Sequence, residues 1–71
     1  MEENKSEKFK RLATQRGERI LKDLRLLANL SNRKNYEYTD TEVKRLFGAI
    51  EEELKSARYS FMRNKNRGIE L

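Results

Sequence analysis

Apolar residues recur at helical spacing in two stretches of this chain, with a polar segment between them. In the first stretch Phe9, Ala13, Ile20, Leu24 and Leu27 stand mostly three or four apart, the period of one helix face. Plotted at about 100° per residue, Leu12, Leu26 and Leu30 fall on one flank of that stripe, and Leu21 and Ala28 on the other. The resulting arc covers roughly 220°, against roughly 100° for a helix covered on one face only. In the second stretch Val43, Phe47, Ile50, Leu54, Ala57 and Phe61 step by 4, 3, 4, 3 and 4, with Leu46 beside them. That is a heptad seam, and its arc is only about 100° wide. The two patterns predict helices over about 5–31 and 40–63. Past Phe61 the pattern stops, and residues 64–71 read as a flexible basic tail.

The segment between the helices, Leu30 to Val43, is rich in start and stop signals. Thr39-Asp40-Thr41-Glu42 fits a capping box, in which Thr39 bonds the amide of Glu42 and Glu42 reaches back. Tyr38 and Val43 then occupy the two positions of a hydrophobic staple. Asp40 and Glu42 stand in the first turn, where the helix dipole favours negative charge. The end of the first helix is softer. Asn32 is expected to adopt a left-handed conformation there, with Arg33 and Lys34 near the last carbonyls. Asn32 and Asn35 suit a turn, because their side chains bond the local backbone. At the other end, Asn4 and Glu7 stand at the N-cap and N3 positions of the first helix.

Two long helices joined by so short a segment favour an antiparallel hairpin. The mismatch in arc width carries the next inference. The second helix covers only part of the first, so the remaining flank, with Leu12, Leu26 and Leu30, must meet something else. The simplest cover is a second copy. The expected architecture is all-α: a single small domain spanning 1–71, an antiparallel two-helix hairpin that dimerises into a four-helix bundle. Gly17 lies inside the apolar arc, where it either permits a close helix crossing or is simply tolerated at the surface.

Composition removes several alternatives. The chain has 71 residues with no Cys, no His, no Pro and three Gly. Thiolate chemistry and the commonest general base and metal ligand are therefore absent. Chains of this size often complete their core by oligomerising. No run of about 18 apolar residues exists, so no membrane span is expected, and the opening MEENKSEK lacks the apolar segment of a secretory signal. A cytoplasmic protein is expected. Glu51-Glu52-Glu53 does not suit a metal, because consecutive helical positions point in different directions. Glu51 and Lys55 are instead spaced for an i,i+4 pair. No catalytic, metal or cofactor site is expected, and the chain reads as a non-enzyme.

The net charge is +5, unevenly spread. Residues 1–31 carry eight Lys/Arg against five Asp/Glu, and 63–71 carry three against one, while 40–62 carry four against five. That distribution points to an anionic partner or to association between the arms. The candidate nucleic-acid-binding residues are Arg11, Lys22 and Arg25 on the first helix with Arg33, Lys34 and Tyr36 in the turn. Phosphates require Lys or Arg, and exposed rings stack on unpaired bases. Glu7, Glu18 and Glu37 interrupt this surface, which is equally readable as a solvated helix face. Arg16, Arg19 and Asp23 intrude on the apolar flank of the first helix. Either Arg16 pairs with Asp23 of a second copy and sets the register, or Arg19 pairs with Asp23 within the helix while Arg16 snorkels.

The stretch Asn29 to Lys55 carries Asn29-Leu30-Ser31-Asn32, then Asn35-Tyr36-Glu37-Tyr38 and the helix opening at Thr39. It resembles a segment recurring in small uncharacterised helical proteins of bacteria, some carried on phages or other mobile elements. No known activity attaches to that group. The resemblance implies a bacterial or phage origin, and makes Asn32, Asn35 and Tyr36 candidates for a recognition tip. Three readings of function stand: a nucleic-acid-associated helical module, a protein-binding adaptor or inhibitor of the kind mobile elements encode, and a structural self-assembling module.

Overall fold

A computed structural model describes residues 3–66, with side chains through Asn64. Two helices are present and, among the described residues, no strand: α1, Lys5–Ala28, and α2, Asp40–Asn66. A single 3-10 turn, Asn29–Ser31, prolongs α1. The chain divides into two units, Met1–Glu37 and Tyr38–Leu71.

The first unit starts on a reciprocal cap. Glu7 N donates to Asn4 Oδ1 at 2.8 Å, and Asn4 N donates to the Glu7 carboxylate at 3.4 Å. Two of the four amides that a helix start leaves unpaired are thereby satisfied. At the other end the Asn29 amide is shared among the carbonyls of Arg25, Leu26 and Leu27, which tightens the last turn into the 3-10 form. Together α1 and this turn fill the span predicted for the first helix.

Asn32 does not take the left-handed conformation expected of it. Its backbone is extended, at φ −71° and ψ 103°, and no described residue other than glycine has positive φ. The chain leaves the helix by a different device. Asn32 Oδ1 accepts from Lys34 N at 2.9 Å, and Asn32 O accepts from the amides of Asn35 at 3.1 Å and Tyr36 at 3.0 Å. The side chain closes the turn locally, so no residue needs the costly αL region.

In the second unit the restart falls where the capping box places it. Glu42 N donates to Thr39 Oγ1 at 3.1 Å, Thr39 N donates to the Glu42 carboxylate at 2.8 Å, and Val43 N donates to Thr39 O at 3.1 Å. Tyr38 and Val43 are partly covered while residues 39–42 between them are exposed, as a hydrophobic staple requires. Helix α2 continues to Asn66, three residues past its predicted end at Arg63. The apolar seam does stop at Phe61, but backbone bonding needs no apolar side chain, and no Gly or Pro intervenes before Gly68. Of the tail expected over 64–71, residues 64–66 are thus helical, and 67–71 lie outside the described residues.

None of the described residues is buried. Each helix instead keeps an apolar stripe open, including Ile20 and Leu26 on α1 with Leu30 on its 3-10 turn, and Leu46, Phe47 and Leu54 on α2. Isolated helices are marginal in water and gain most of their stability from a packed face. The stripes are therefore the surfaces open to packing. Among the described residues no helix is long and apolar enough to cross a membrane.

Candidate nucleic-acid interface

On α1, Arg11, Lys22 and Arg25 fall within a sector of roughly 60°, on the side away from the apolar arc. All three are exposed. The helix rise puts Arg11 about 16 Å from Lys22 along the axis, and Lys22 about 4.5 Å from Arg25. The sector also holds Glu7 and Glu18, and the Glu7 carboxylate is engaged in the N-cap.

Arg11 differs from the other two because it has a partner. Its Nε donates to Glu3 Oε2 at 2.9 Å and its Nη2 to Glu3 Oε1 at 3.0 Å, a two-pronged pair. The guanidinium's hydrogen bonds hold the Glu3 carboxyl below its usual range, and the carboxylate raises Arg11 in turn. Both groups remain in water, so a polyanion has to compete with Glu3 for Arg11. Helix spacing gives no sign of this contact. Glu3 precedes the N-cap and lies eight residues from Arg11, outside the i,i+3 and i,i+4 neighbours.

Further positive charge is concentrated toward the end of the first unit. From Arg19 to Lys34 the chain carries Arg19, Lys22, Arg25, Arg33 and Lys34 against one acid, Asp23. Arg25 in the last turn also complements the negative end of the α1 dipole. Beyond it, Arg33, Lys34, Asn35, Tyr36 and Glu37 line an open depression of about 450 Å³. The Tyr36 ring is 48% exposed. The turn thus brings Arg33, Lys34 and Tyr36 to one depression, and places Lys22 and Arg25 on the preceding helix. Of the tip residues, Asn32 is committed to holding the turn.

Neither arrangement expected from the other charged pairs forms within the chain. Among the described residues, the side chains of Arg16, Arg19 and Asp23 make no ion pair or hydrogen bond, and neither do those of Glu51 and Lys55. Exposed pairs gain little and lose side-chain entropy, so spacing alone does not hold them. No three acidic side chains among the described residues converge on one point. Compared with known proteins, the chain matches no family model, no curated protein and no solved structure.

Proposed function

We propose that this protein is a non-catalytic helical binding module that holds DNA or RNA through phosphate contacts. Two copies of an antiparallel α1–α2 hairpin pair into a four-helix bundle, with Leu12, Leu26 and Leu30 in the interface and the basic residues outside. The observation that carries the reading is the run from Lys22 and Arg25 to the exposed depression of Arg33, Lys34 and Tyr36, where cations outnumber acids. Each copy contributes a net charge of +5. In this reading the exposed Tyr36 stacks on an unpaired base, and nothing in the chain resembles an element that reads base edges. Sequence preference is therefore slight. An origin on a phage or other mobile element, drawn from the resemblance over Asn29–Lys55, fits such a module.

The test is a fluorescence anisotropy titration against duplex and single-stranded oligonucleotides over a salt series. Affinity is expected to fall as salt rises, with a log–log slope of about −0.7 to −0.9 per phosphate neutralised. Arg33→Glu with Lys34→Glu weakens binding and leaves helicity intact, while Arg11→Ala has a smaller effect because Glu3 already engages that side chain. Absence of binding at low salt overturns the nucleic-acid reading in favour of a protein-binding adaptor.

A further inference from the structure

The apolar arc of α1 resolves into two flanks that differ in one respect. Between Ala13 and Ala28, the residues Ala13, Gly17, Ile20, Leu24 and Ala28 form a flank with no charge in it, Lys10 sharing its azimuth just before. From Phe9 to Leu30 the neighbouring flank carries Phe9, Leu12, Arg16, Asp23, Leu27 and Leu30, all within a sector of roughly 60°, with Lys5 before them. Its spacings are 3, 4, 7, 4 and 3, the same read in either direction. Reversal about the midpoint between Arg19 and Ile20 carries Phe9 onto Leu30, Leu12 onto Leu27 and Arg16 onto Asp23. Apolar positions exchange with apolar ones, and the cation exchanges with the anion. Arg16 and Asp23 are exposed and, among the described residues, neither has a partner.

We propose that two copies pair antiparallel along this flank of α1, about a two-fold axis between Arg19 and Ile20, with Arg16 of each copy against Asp23 of the other. The inference rests on the dimer proposed above but not on its nucleic-acid ligand. Charge decides the occupant. The α2 seam is apolar from Val43 to Phe61, so laying it over this flank would cover Arg16 and Asp23 with nothing to pair them, which is costly. The uncharged flank suits α2. A second α1 supplies both missing charges at once. A parallel pairing sets Arg16 against Arg16 and Asp23 against Asp23, and an antiparallel pairing slipped by one heptad also opposes like charges or sets a charge against an apolar residue. The two Arg19 side chains lie on one edge of the pairing beside the axis, each with its head in water, and the two Ile20 side chains lie on the other edge.

Sedimentation equilibrium on the full chain tests the register by charge exchange. Arg16→Glu and Asp23→Arg each set like charges in register and are expected to raise the dimer Kd at least tenfold. The double variant restores opposite charges and returns the Kd to within about threefold of the starting value. A double variant weaker than either single one overturns the register. So does rescue of Asp23→Arg by Arg19→Glu rather than by Arg16→Glu. If the unaltered chain is monomeric throughout, the dimer itself fails and the register with it. A dimer indifferent to all three changes leaves the dimer standing and overturns only the register.

Oxidative cross-linking gives a measurement that does not depend on charge. The chain has no Cys, and in the proposed register the two positions 16, like the two positions 23, are offset by about 10.5 Å along the axis, too far for a disulfide between like positions. A mixture of Arg16→Cys and Asp23→Cys chains is expected to yield the mixed covalent dimer, with little product from either variant alone. Covalent dimers from the separate variants and none from the mixture overturn the proposal.

Discussion

The two helices are similar in length but differ in how much of their circumference is apolar. The α2 seam is narrow and free of charge, from Val43 through Ile50 to Phe61. A single partner surface satisfies it. Helix α1 has two adjoining apolar flanks, one uninterrupted and one divided by Arg16 and Asp23. A hairpin with α2 accounts for the first flank only. The breadth of an apolar arc therefore indicates how many partners a helix needs, and the charges within it indicate which partner goes where. None of the described residues of either helix is buried, so in this chain the faces carry more information than any core.

The largest effect should come from breaking the wider helix on its second flank. Leu26→Glu replaces an apolar side chain at the rim of the proposed interface with a carboxylate, losing the apolar burial there. Expected is a loss of dimer of at least about tenfold, or about 1.4 kcal/mol, read by light scattering across a concentration series. Met62→Glu is the control on α2. Met62 is as exposed as Leu26, at 52% against 54%, but lies off the seam and should change association little. Equal responses at the two positions would remove the distinction between the helices.

Much of this architecture is legible in the sequence, and the reasons differ by residue. The start of α2 was readable because Thr39, Glu42, Tyr38 and Val43 all act within one turn of the chain, and local bonds follow from local order. The start of α1 was readable for the same reason, through Asn4 and Glu7. The route out of α1 was not, because Asn32 can end a helix by its backbone conformation or by its side chain. Composition does not choose between them, and the side chain won. The charged surface was the least legible part. Helix spacing proposes Arg19 with Asp23 and Glu51 with Lys55, yet among the described residues the ion pair that forms joins Arg11 to a residue before the helix. Surface pairs differ by fractions of a kcal/mol, too little for spacing to rank them. At the candidate site the basic residues were readable one by one, but the depression that gathers Arg33, Lys34 and Tyr36 depends on the turn Asn32 makes.

A middle-sized effect compares the two helix starts. Thr39→Ala removes the oxygen that accepts from Glu42 N and is expected to destabilise the fold by about 1 kcal/mol. Asn4→Ala should cost about the same intrinsically, but it acts on a helix end that lies before Phe9, the first residue of the apolar stripe. Fraying there exposes no packed face, so the measured loss in thermal unfolding should be smaller than for Thr39→Ala. A midpoint unmoved by Thr39→Ala would mean that the stability of α2 does not depend on where it begins.

The smallest effect uses the two helical glycines as probes of what covers each helix. Glycine in a helix interior costs about 1 kcal/mol relative to alanine, through backbone entropy. A Cβ built at Gly17 or at Gly48 meets no atom within 4 Å, so on propensity alone both substitutions should stabilise. Their faces differ. Gly48 lies well off the α2 seam, roughly 140° from Val43. Gly17 lies on the uncharged flank of α1 that the proposed hairpin gives to α2, where a close crossing leaves little room for a methyl group. Gly48→Ala is expected to raise the midpoint of thermal unfolding by an amount matching up to about 1 kcal/mol. The gain from Gly17→Ala should be absent or reversed, because overpacking at a contact offsets propensity. Equal gains at both positions would mean that nothing approaches Gly17 closely in solution, and would place the α1–α2 contact on a different part of the arc.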